Sequence, residues 1–497
     1  MSHTHETWVA RAREVELPHQ LFIDGQFVPS QSGRTFDCIS PIDGRVLNQV
    51  AEGDEADIDR AVRSARAAFE SGCWSGLAPR ERKRRLLAFA QLMHKHSEDL
   101  ALLETLDVGK PIRDAVSIDV PMAIEALAWY AEATDKIYGE VAPTPADVVA
   151  TITREPLGVV GVVVPWNFPL MLTCWKLGPA LAAGNTVVIK PAEQSPLTAL
   201  RLAQIAVEAG IPPGVINVVT GFGPTAGRAL GMHPDVDALT FTGSGEVGKM
   251  FLSYSAQSNM KRVSLECGGK SPNIIFPDVT DIDAAARNAA FGIFYNQGEV
   301  CNAGSRLLVH ESIHEQVIEK VVQWAAKMRP GDPLDPKSRA GALVSAEHTE
   351  RVCQYIRTGS SEGAHLVAGG QRVRTDTGGY YVEPTVFDAV TQDMTIAREE
   401  IFGPVLATLS FKDADEAIRL ANGTIFGLAS AVWTSNINTA NRVARAIRAG
   451  SVWINCYNGG DITTPFGGYK QSGFGRDKSL HAIDKYTELK TTWLQLY

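Results

Sequence analysis

The sequence predicts an α/β protein with more than one domain, and three observations support this prediction. The chain has 497 residues, which is more than a single hydrophobic core usually holds. Runs of apolar, mostly β-branched residues are typical of strands buried on both faces, and the clearest run covers residues 159–164. Segments with helical spacing alternate with these runs, as they do in proteins built around a parallel sheet.

The predicted elements follow this alternation along the chain. Apolar residues recur at helical spacing over residues 58–69, and a longer helix runs from residue 79 towards residue 105. The strand over 159–164 is followed by a helix over 175–183, a strand over 186–190, a helix over 198–209 and strands over 215–219 and 239–242. Beyond about residue 270 the alternation begins again, with a helix over 284–294, a strand over 307–309, a helix over 414–421 and a strand over 451–455.

Composition and charge argue against several classes of protein. The chain carries 47 basic and 56 acidic residues, a net charge of −9, whereas a nucleic-acid-binding surface needs a basic patch. The seven cysteines are scattered without a CxxC pair, which predicts a reducing compartment and no metal site. The first 20 residues have no apolar core, and the best apolar run, residues 157–164, is too short to span a bilayer. We therefore expect a cytoplasmic protein without membrane or nucleic-acid partners.

Cys301 is the first candidate catalytic residue. It lies in a polar loop rich in glycine and asparagine, residues 294–306, between a predicted helix and a predicted strand. The backbone of such a loop can approach a substrate closely, as a thiol nucleophile requires. The alternative, which is commoner for an isolated cysteine, is a small hydrophobic side chain in the core.

Asn167 lies between two prolines at the carboxyl end of the strand over 159–164. Ligands of doubly wound sheets bind beyond these strand ends, and a side-chain amide held there can donate a hydrogen bond to a developing oxyanion. An ordinary turn asparagine is the alternative.

Two further strand ends carry groups that suit a dinucleotide. Lys190 and Glu193 close the next strand, where they can bind the hydroxyls of a ribose, and a carboxylate there repels a 2′-phosphate and so favours NAD over NADP. Gly243 and Ser244 begin a glycine-rich turn before a helix, whose N-terminus suits a pyrophosphate. The spacing GSGEVG is a weak signal alone, and a surface ion pair is the alternative for Lys190 and Glu193.

Glu266 follows an apolar residue and precedes a turn with paired glycines. A partly desolvated glutamate has a raised pKa and can act as a general base. A structural glutamate beside a turn is the alternative.

Taken together, these segments resemble the NAD(P)-dependent aldehyde dehydrogenase superfamily over nearly the whole chain. The resemblance implies a Rossmann-like cofactor domain (residues 1–137 and 157–268) and a second α/β domain that carries the cysteine (residues 269–471). It also implies a small β-arm and tail for oligomerisation (residues 138–156 and 484–497), and hence a homodimer or homotetramer. Several motifs in the family's order are far more specific than one. They are PWNFP, KPAE, FTGS, LECGGK, GEVC, EEIFGP and PFGGYKQSGFGRD.

The resemblance implies roles for individual residues. Cys301 is the nucleophile, Glu266 is the general base, and Asn167 forms an oxyanion hole with the backbone amide of Cys301. Lys176 and Asp477 pass protons away from the base, although the family usually has glutamate at the second of these positions. The implied cofactor contacts are Lys190, Glu193 and Glu400 at the riboses, Trp166, Gly243 and Ser244 at the pyrophosphate, and Phe402 near the nicotinamide ribose.

The implied reaction oxidises a small aldehyde to its carboxylic acid, with NAD as the cofactor and NADP less favoured. The Cys301 thiolate adds to the carbonyl, the hemithioacetal gives up a hydride, and Glu266 activates the water that hydrolyses the thioester. A CoA-acylating enzyme is disfavoured, because Glu266 provides a base for hydrolysis.

Within the superfamily, the chain is most similar to bacterial aminoaldehyde dehydrogenases of putrescine and arginine breakdown. Their substrates are γ-glutamyl-γ-aminobutyraldehyde, γ-aminobutyraldehyde and guanidinobutyraldehyde. The similarity rests on LAPRERKRRLL, SIDVPMA, VAPTP and residues 456–463. An enzyme for neutral aliphatic or aromatic aldehydes is the alternative, and a non-catalytic protein that kept the fold is a remote one.

Two aspartates and several aromatic residues are candidates for substrate contact. Asp461 precedes the last motif and Asp119 is expected on a helix at the mouth of a substrate tunnel, where either can pair with an ammonium or guanidinium. The alternative for both is to face solvent or cap a turn. Phe168, Trp175 and Tyr457 either line the tunnel or belong to the core.

Overall fold

The computed structural model describes residues 3–497, and its first sheet has the strand order of a doubly wound fold. Five parallel strands form the centre of this sheet, and Val159–Val163 pairs with Thr186–Lys190 on one side and Ala238–Gly243 on the other. The strand order therefore reverses beside Val159–Val163, and ligands bind at the carboxyl ends of the strands at such a reversal. In spatial order the eight strands are Gln26–Val28, Leu21–Ile23, Ile216–Val218, Thr186–Lys190, Val159–Val163, Ala238–Gly243, Arg262–Cys267 and Gly473–Phe474.

Helices cover this sheet, and the most deeply placed is Pro169–Ala183, which is buried along its whole length. Its proline stands at the first helical position, where the missing N–H costs nothing, so the helix begins six residues before the predicted start. Among residues 3–497, no helix is long and apolar enough to cross a membrane. The α-helices of this half of the chain are His5–Glu14, Glu55–Glu70, Pro79–Lys95, Ser97–Val108, Ile112–Asp114, Val120–Ala133, Pro169–Ala183, Leu197–Glu208, Arg228–Met232 and Gly245–Gln257.

The second sheet has seven strands, of which six are parallel. Its strand Pro272–Ile275 follows Arg262–Cys267 of the first sheet after a short glycine-containing turn, so the chain passes directly from one sheet to the other beside Glu266. In spatial order the strands are His365–Ala368, Thr385–Asp388, Val405–Phe411, Arg306–His310, Pro272–Ile275, Ala429–Trp433 and Ser451–Ile454. The α-helices of this half are Ile282–Phe294, His314–Ala325, Ala346–Ser361, Thr395–Arg398, Ala414–Asn422 and Ile437–Ala446.

A separate three-stranded antiparallel sheet projects from this body. The C-terminal strand Thr487–Gln495 pairs along its whole length with Val148–Pro156, which also pairs with Glu140–Ala142. Large apolar side chains lie exposed on it, including Val141 (74% exposed) and Trp493 (60%). Two small hairpin pairs complete the strands, Thr35–Ile39 with Val46–Ala51 and Arg372–Val373 with Tyr381–Val382.

Two further differences from the predictions concern a helix and a domain boundary. The helix predicted from residue 79 towards 105 is two helices, Pro79–Lys95 and Ser97–Val108, because the backbone of His96 leaves helical geometry between them. Residues 472–483 belonged to none of the predicted domains, and their strand Gly473–Phe474 pairs with the edge of the first sheet. The domain boundaries stay a prediction.

Candidate active site

A cavity of about 310 Å³ lies at the strand ends where the two sheets meet. One wall follows strands of the first sheet, and the other wall comes from the second half of the chain. Thr242 is the direct neighbour of Glu266 in the parallel register, which brings the glycine turn and the glutamate to the same sheet edge. The predicted residues that line the cavity are Trp166, Asn167, Gly243, Ser244, Glu266, Cys301, Glu400 and Phe402.

Cys301 reaches this cavity through an irregular turn at the end of Ile282–Phe294. Asn296 and Gln297 both have positive φ values, 47° and 56°, so the chain changes direction sharply before the cysteine. Burial raises the pKa of the Cys301 thiol well above its ordinary value, and the charges of Glu266 and Glu400 raise it further. The thiol therefore needs a base to become a nucleophilic thiolate.

The side chain of Asn167 is fixed by the same turn. Its Nδ2 donates to the carbonyl oxygen of Glu299 at 2.9 Å, and the Nδ2 of Asn296 donates to the Asn167 carbonyl at 3.2 Å. A side-chain amide carries two hydrogens. One hydrogen holds Asn167 to the Cys301 loop, and the other is available for an oxygen in the cavity.

Glu266 is buried, and its Oε1 has no hydrogen-bond partner. Burial, together with the charge of Asp477, raises the pKa of Glu266 to about 8, although Lys176 and Lys485 oppose this shift. A carboxyl with a pKa near neutrality is suited to general-base catalysis.

Asp477 lies beside Glu266 and contacts two lysines. Lys176 Nζ is 3.0 Å from the Asp477 carboxylate, and Lys485 also contacts it. Burial would raise the pKa of Asp477, but the two ammonium groups outweigh burial and hold it at about 2. The predicted pair of Lys176 and Asp477 is thus brought together, and Lys485 joins it.

The groups expected at the cofactor lie around the same cavity. Ser244 caps the 13-residue helix Gly245–Gln257 by accepting from Val247 N at 3.3 Å, and the first-turn N–H groups of a helix otherwise lack intrahelical partners. Glu400 Oε1 accepts from Gly269 N at 3.0 Å, and a Cβ on Gly268 would lie 1.9 Å from the Glu400 carboxylate. These features fit a dinucleotide, since a helix N-terminus faces a phosphate and a carboxylate faces sugar hydroxyls.

Lys190 and Glu193 form an ion pair of 3.1 Å, and burial lowers the pKa of Lys190. Neither side chain lines the cavity itself, whereas the adjacent Gln194 does. Trp166 packs edge-on against Phe402, with 5.2 Å between ring centroids.

Comparison with known proteins identifies the family of this chain. The model of the aldehyde dehydrogenase family matches residues 27–492. The chain belongs to the aldehyde dehydrogenase family. It is 51% identical over 489 residues to the NADP/NAD-dependent aldehyde dehydrogenase PuuC of Escherichia coli, with 98% of each chain covered.

Solved structures match the chain over its whole length. The structure of γ-glutamyl-γ-aminobutyraldehyde dehydrogenase from Burkholderia cenocepacia is 57% identical, with a TM-score of 0.98 and complete coverage of both chains. Indole-3-acetaldehyde dehydrogenase of P. syringae, in complex with NAD+ and IAA, is 56% identical, with a TM-score of 0.99 and complete coverage of both. The protein is an NAD(P)-dependent aldehyde dehydrogenase, and NAD is the cofactor that these comparisons support.

Several residues of this dehydrogenase's cavity were not predicted from the sequence. His348 packs edge-on against Trp166 at 5.2 Å and its Nε2 lies 2.7 Å from the Phe402 carbonyl oxygen. It comes from the start of Ala346–Ser361, far from every motif, so only the tertiary fold reveals it. The other unpredicted residues of this wall are Val344, Ser345, Glu347 and Arg351.

The two predicted substrate aspartates lie in very different surroundings, and neither lines the cavity. Asp119 is fully buried at the end of a π-helical turn, Ala115–Asp119, and lies 2.8 Å from Lys110 Nζ. Asp119 therefore does not face a tunnel mouth as expected, because its side chain is buried in the core and paired with Lys110. Asp461 is exposed, and its carboxylate accepts a hydrogen bond from Thr463 N at 2.9 Å. It thus caps a turn, which was the alternative to substrate contact.

The predicted aromatic residues are buried and lie outside this cavity. Tyr457 donates its hydroxyl to the Asn302 carbonyl at 2.8 Å, next to Cys301. Trp175 packs against Phe466, with Lys478 Nζ 5.4 Å from its ring, and Phe168 stacks on Tyr295 at 6.2 Å. Lys478 is a cation beside Trp175 that no sequence pattern indicated.

Proposed function

We propose that this enzyme oxidises a nitrogen-bearing aldehyde of polyamine or arginine breakdown to its acid, with Cys301 as the nucleophile. The observation that carries the catalytic assignment is the cavity itself, in which Cys301, Asn167 and the unpartnered Glu266 face one another. The name of one relative supports the substrate class, since the Burkholderia cenocepacia structure is that of a γ-glutamyl-γ-aminobutyraldehyde dehydrogenase.

In the first step Glu266 takes the thiol proton, and the Cys301 sulfur forms a bond to the aldehyde carbon. The carbonyl oxygen becomes an oxyanion, which accepts a hydrogen bond from the free N–H of Asn167. NAD supplies the hydride acceptor when it is bound. In the hydrolytic step Glu266 takes a proton from water, which attacks the thioester carbon and releases the Cys301 sulfur.

Glu266 must lose the protons that it collects. Asp477 with its two lysines lies beside it, so we assign Lys176 and Asp477 to this proton relay, with Lys485 as an additional member. An ammonium group next to a carboxyl can exchange protons through hydrogen bonds or an intervening water.

For the cofactor, we assign Lys190, Glu193 and Glu400 to the riboses, Gly243, Ser244 and Trp166 to the pyrophosphate, and Phe402 to the nicotinamide ribose. The first sheet then forms the cofactor domain and the second sheet the catalytic domain. We further propose that the exposed three-stranded arm joins subunits into a homodimer or homotetramer, because its apolar side chains need cover. A cytoplasmic location stays a prediction from the scattered, unpaired cysteines.

A neutral aromatic aldehyde is the second candidate substrate. The relative from P. syringae is an indole-3-acetaldehyde dehydrogenase and is about as similar as the γ-glutamyl-γ-aminobutyraldehyde enzyme. In addition, the ammonium group of Lys478 lies beside Trp175 and would repel a substrate whose own ammonium group bound there.

The test is NADH formation from γ-glutamyl-γ-aminobutyraldehyde, γ-aminobutyraldehyde and a neutral aldehyde of similar length. The proposal predicts a higher kcat/KM for a nitrogen-bearing aldehyde than for the neutral one. Asp461→Asn tests whether the exposed carboxylate contributes, with the exposed Asp376→Asn as the matched control. Cys301→Ala is expected to form no NADH, and turnover by this variant would refute the catalytic assignment.

A further inference from the structure

A second cavity, of about 260 Å³, lies beside helix Ile282–Phe294, which precedes the Cys301 loop. Helix Ile282–Phe294 contributes Arg287, Asn288 and Phe291 to it, and the turn before Asp119 contributes Arg113 and Asp114. It shares no lining residue with the cavity that holds Cys301. We call it the tail cavity.

Two buried polar groups at the tail cavity have no good partner. The Asp114 side chain is only 10% exposed, and the nearest guanidinium nitrogen, Arg113 Nε, is 3.7 Å away, beyond hydrogen-bond distance. The hydroxyl of Tyr295 is buried without any hydrogen-bond partner, and the residue is 7% exposed. Buried polar groups without partners are costly, so a ligand that supplies donors would be favoured here.

The rim of the tail cavity is positively charged. Arg113, Arg287 and Arg339 all line it and are exposed, and Arg287 lies 5.8 Å from the ring of Trp324. Guanidinium groups bind carboxylates through paired hydrogen bonds. The cavity thus offers one buried carboxylate for a cation and several arginines for an anion.

A row of three stacked rings connects this cavity with the reacting residues. Phe168, which follows Asn167, stacks on Tyr295 at 6.2 Å, and Tyr295 stacks on Phe291 at 5.1 Å. Tyr295 also begins the turn that leads to Cys301. Flat apolar rings of this kind can guide a methylene chain between its two ends.

We infer that the tail cavity binds the free α-amino acid group at the far end of the aldehyde substrate. An α-amino acid carries an ammonium and a carboxylate on one carbon, so it matches Asp114 with Tyr295 on one side and the arginines on the other. An aldehyde that ends in a bare ammonium satisfies Asp114 but brings no carboxylate to the arginines of the rim. This inference rests on the proposed function and narrows it to substrates of the γ-glutamyl-γ-aminobutyraldehyde type.

The experiment compares γ-glutamyl-γ-aminobutyraldehyde with N-butanoyl-γ-aminobutyraldehyde, which has the same amide but a neutral tail. Wild type is expected to favour the charged tail. Asp114→Asn and Arg287→Gln should each raise KM for the charged tail about tenfold and leave kcat, and the neutral substrate, nearly unchanged. Arg442→Gln, which removes an exposed arginine that contacts Asp415, is the control and should change neither substrate.

Arg287 is exposed, so its variant tests the inference even where Asp114→Asn fails to fold. If Arg287→Gln leaves the KM for the charged substrate unchanged while wild type still favours that substrate, the inference about the tail cavity is wrong. The proposed function would not be affected by that result. Preference of wild type for N-butanoyl-γ-aminobutyraldehyde over the charged substrate would likewise overturn only the inference about the tail cavity. Preference of wild type for a neutral aldehyde without nitrogen would overturn the proposed function instead.

A binding experiment distinguishes recognition of the substrate tail from recognition of a free amino acid. The acid γ-glutamyl-γ-aminobutyrate and free L-glutamate are titrated into Cys301→Ala and into the same protein with Arg287→Gln. The inference predicts that the product acid binds and that Arg287→Gln weakens it about tenfold. If L-glutamate binds in an Arg287-dependent way and the product acid does not bind, the cavity is a separate amino acid site. That result would also overturn the inference.

Discussion

Two buried ion clusters flank the reacting residues, and they use the same kinds of group in opposite ways. The scaffold cluster, Glu104, Lys110 and Asp119, pairs its single ammonium with both carboxylates, at 2.9 Å and 2.8 Å. The catalytic cluster, Lys176, Glu266, Asp477 and Lys485, gives both of its ammonium groups to Asp477 and leaves Glu266 unpartnered. The difference is one of pairing, since the key side chains of both clusters are buried.

The scaffold cluster supports the loop that carries Asn167. Lys110 Nζ lies 4.3 Å from the ring of Phe168, and Glu104 Oε2 accepts from Leu170 N at 3.3 Å. Burial would lower the pKa of Lys110, but the charges of Asp119 and Glu104 outweigh burial and raise it. Its charge is therefore fixed, whereas the pKa of Glu266, at about 8, allows that carboxyl to change protonation during turnover. Each carboxylate of the scaffold cluster contacts an ammonium group, whereas Glu266 contacts none and is left to exchange protons.

Glu266→Gln tests the catalytic cluster most severely. The variant keeps the size of the side chain but cannot accept a proton, so kcat is expected to fall by about 10²–10⁴. Its unfolding temperature should not fall, because the substitution removes a buried acid that has no partner for Oε1. Full activity of Glu266→Gln would show that the catalytic cluster has no catalytic role and differs in that respect in no way from the scaffold cluster.

Lys110→Met tests the scaffold cluster. It leaves Glu104 and Asp119 buried without a counter-ion, so the free energy of unfolding should fall by about 3–5 kcal/mol. Denaturant unfolding measures this loss. Lys83→Met is the control, since Lys83 pairs with Asp135 at the surface and its loss should change stability little. Equal effects of the two variants would contradict the scaffold role.

Asn167→Ala affects the residue that lies between the clusters. It removes one oxyanion donor, which typically costs about 3–4 kcal/mol of transition-state stabilisation, so kcat should fall by about 10²–10³. Steady-state kinetics measures the fall, and thermal unfolding shows whether the lost bond to Glu299 also destabilises the loop. A change in stability with unchanged kcat would make Asn167 a structural residue.

Asp477→Asn gives the smallest and most specific effect. The charge of Asp477 raises the pKa of Glu266, and Lys176 and Lys485 oppose it. Without the Asp477 charge, the pKa of Glu266 should fall, and the rise of kcat/KM with pH should move to lower pH by about one unit. A shift to higher pH would contradict the proposed coupling between the two carboxyls.

Local sequence signals predicted the fold and most of the cavity, because the motifs sit at strand ends and loops. Trp166, Asn167 and Ser244 follow predicted strands of the doubly wound sheet, where ligands bind, so strand prediction was sufficient to bring them together. The strand Arg262–Cys267, which contains Glu266, was not predicted, and this glutamate was found from its apolar neighbour and the glycine turn that follows. Family resemblance then added Glu400.

Site residues without a local sequence signal could be identified only from the tertiary structure. Lys485 and His348 reach the site from segments with no motif, and Asp119, which was expected at a tunnel mouth, lies in the core beside Lys110. A buried partner that is distant in space cannot be inferred from helical spacing alone.

The proposal that Glu266 is the titrating base can be tested by the pH dependence of kcat/KM in wild type and in Glu266→Gln. We expect wild-type kcat/KM to rise with pH through about 8, as Glu266 ionises, and this rise to be absent in Glu266→Gln. The same rise in both proteins would assign the titration to another group, such as Cys301, and contradict the claim.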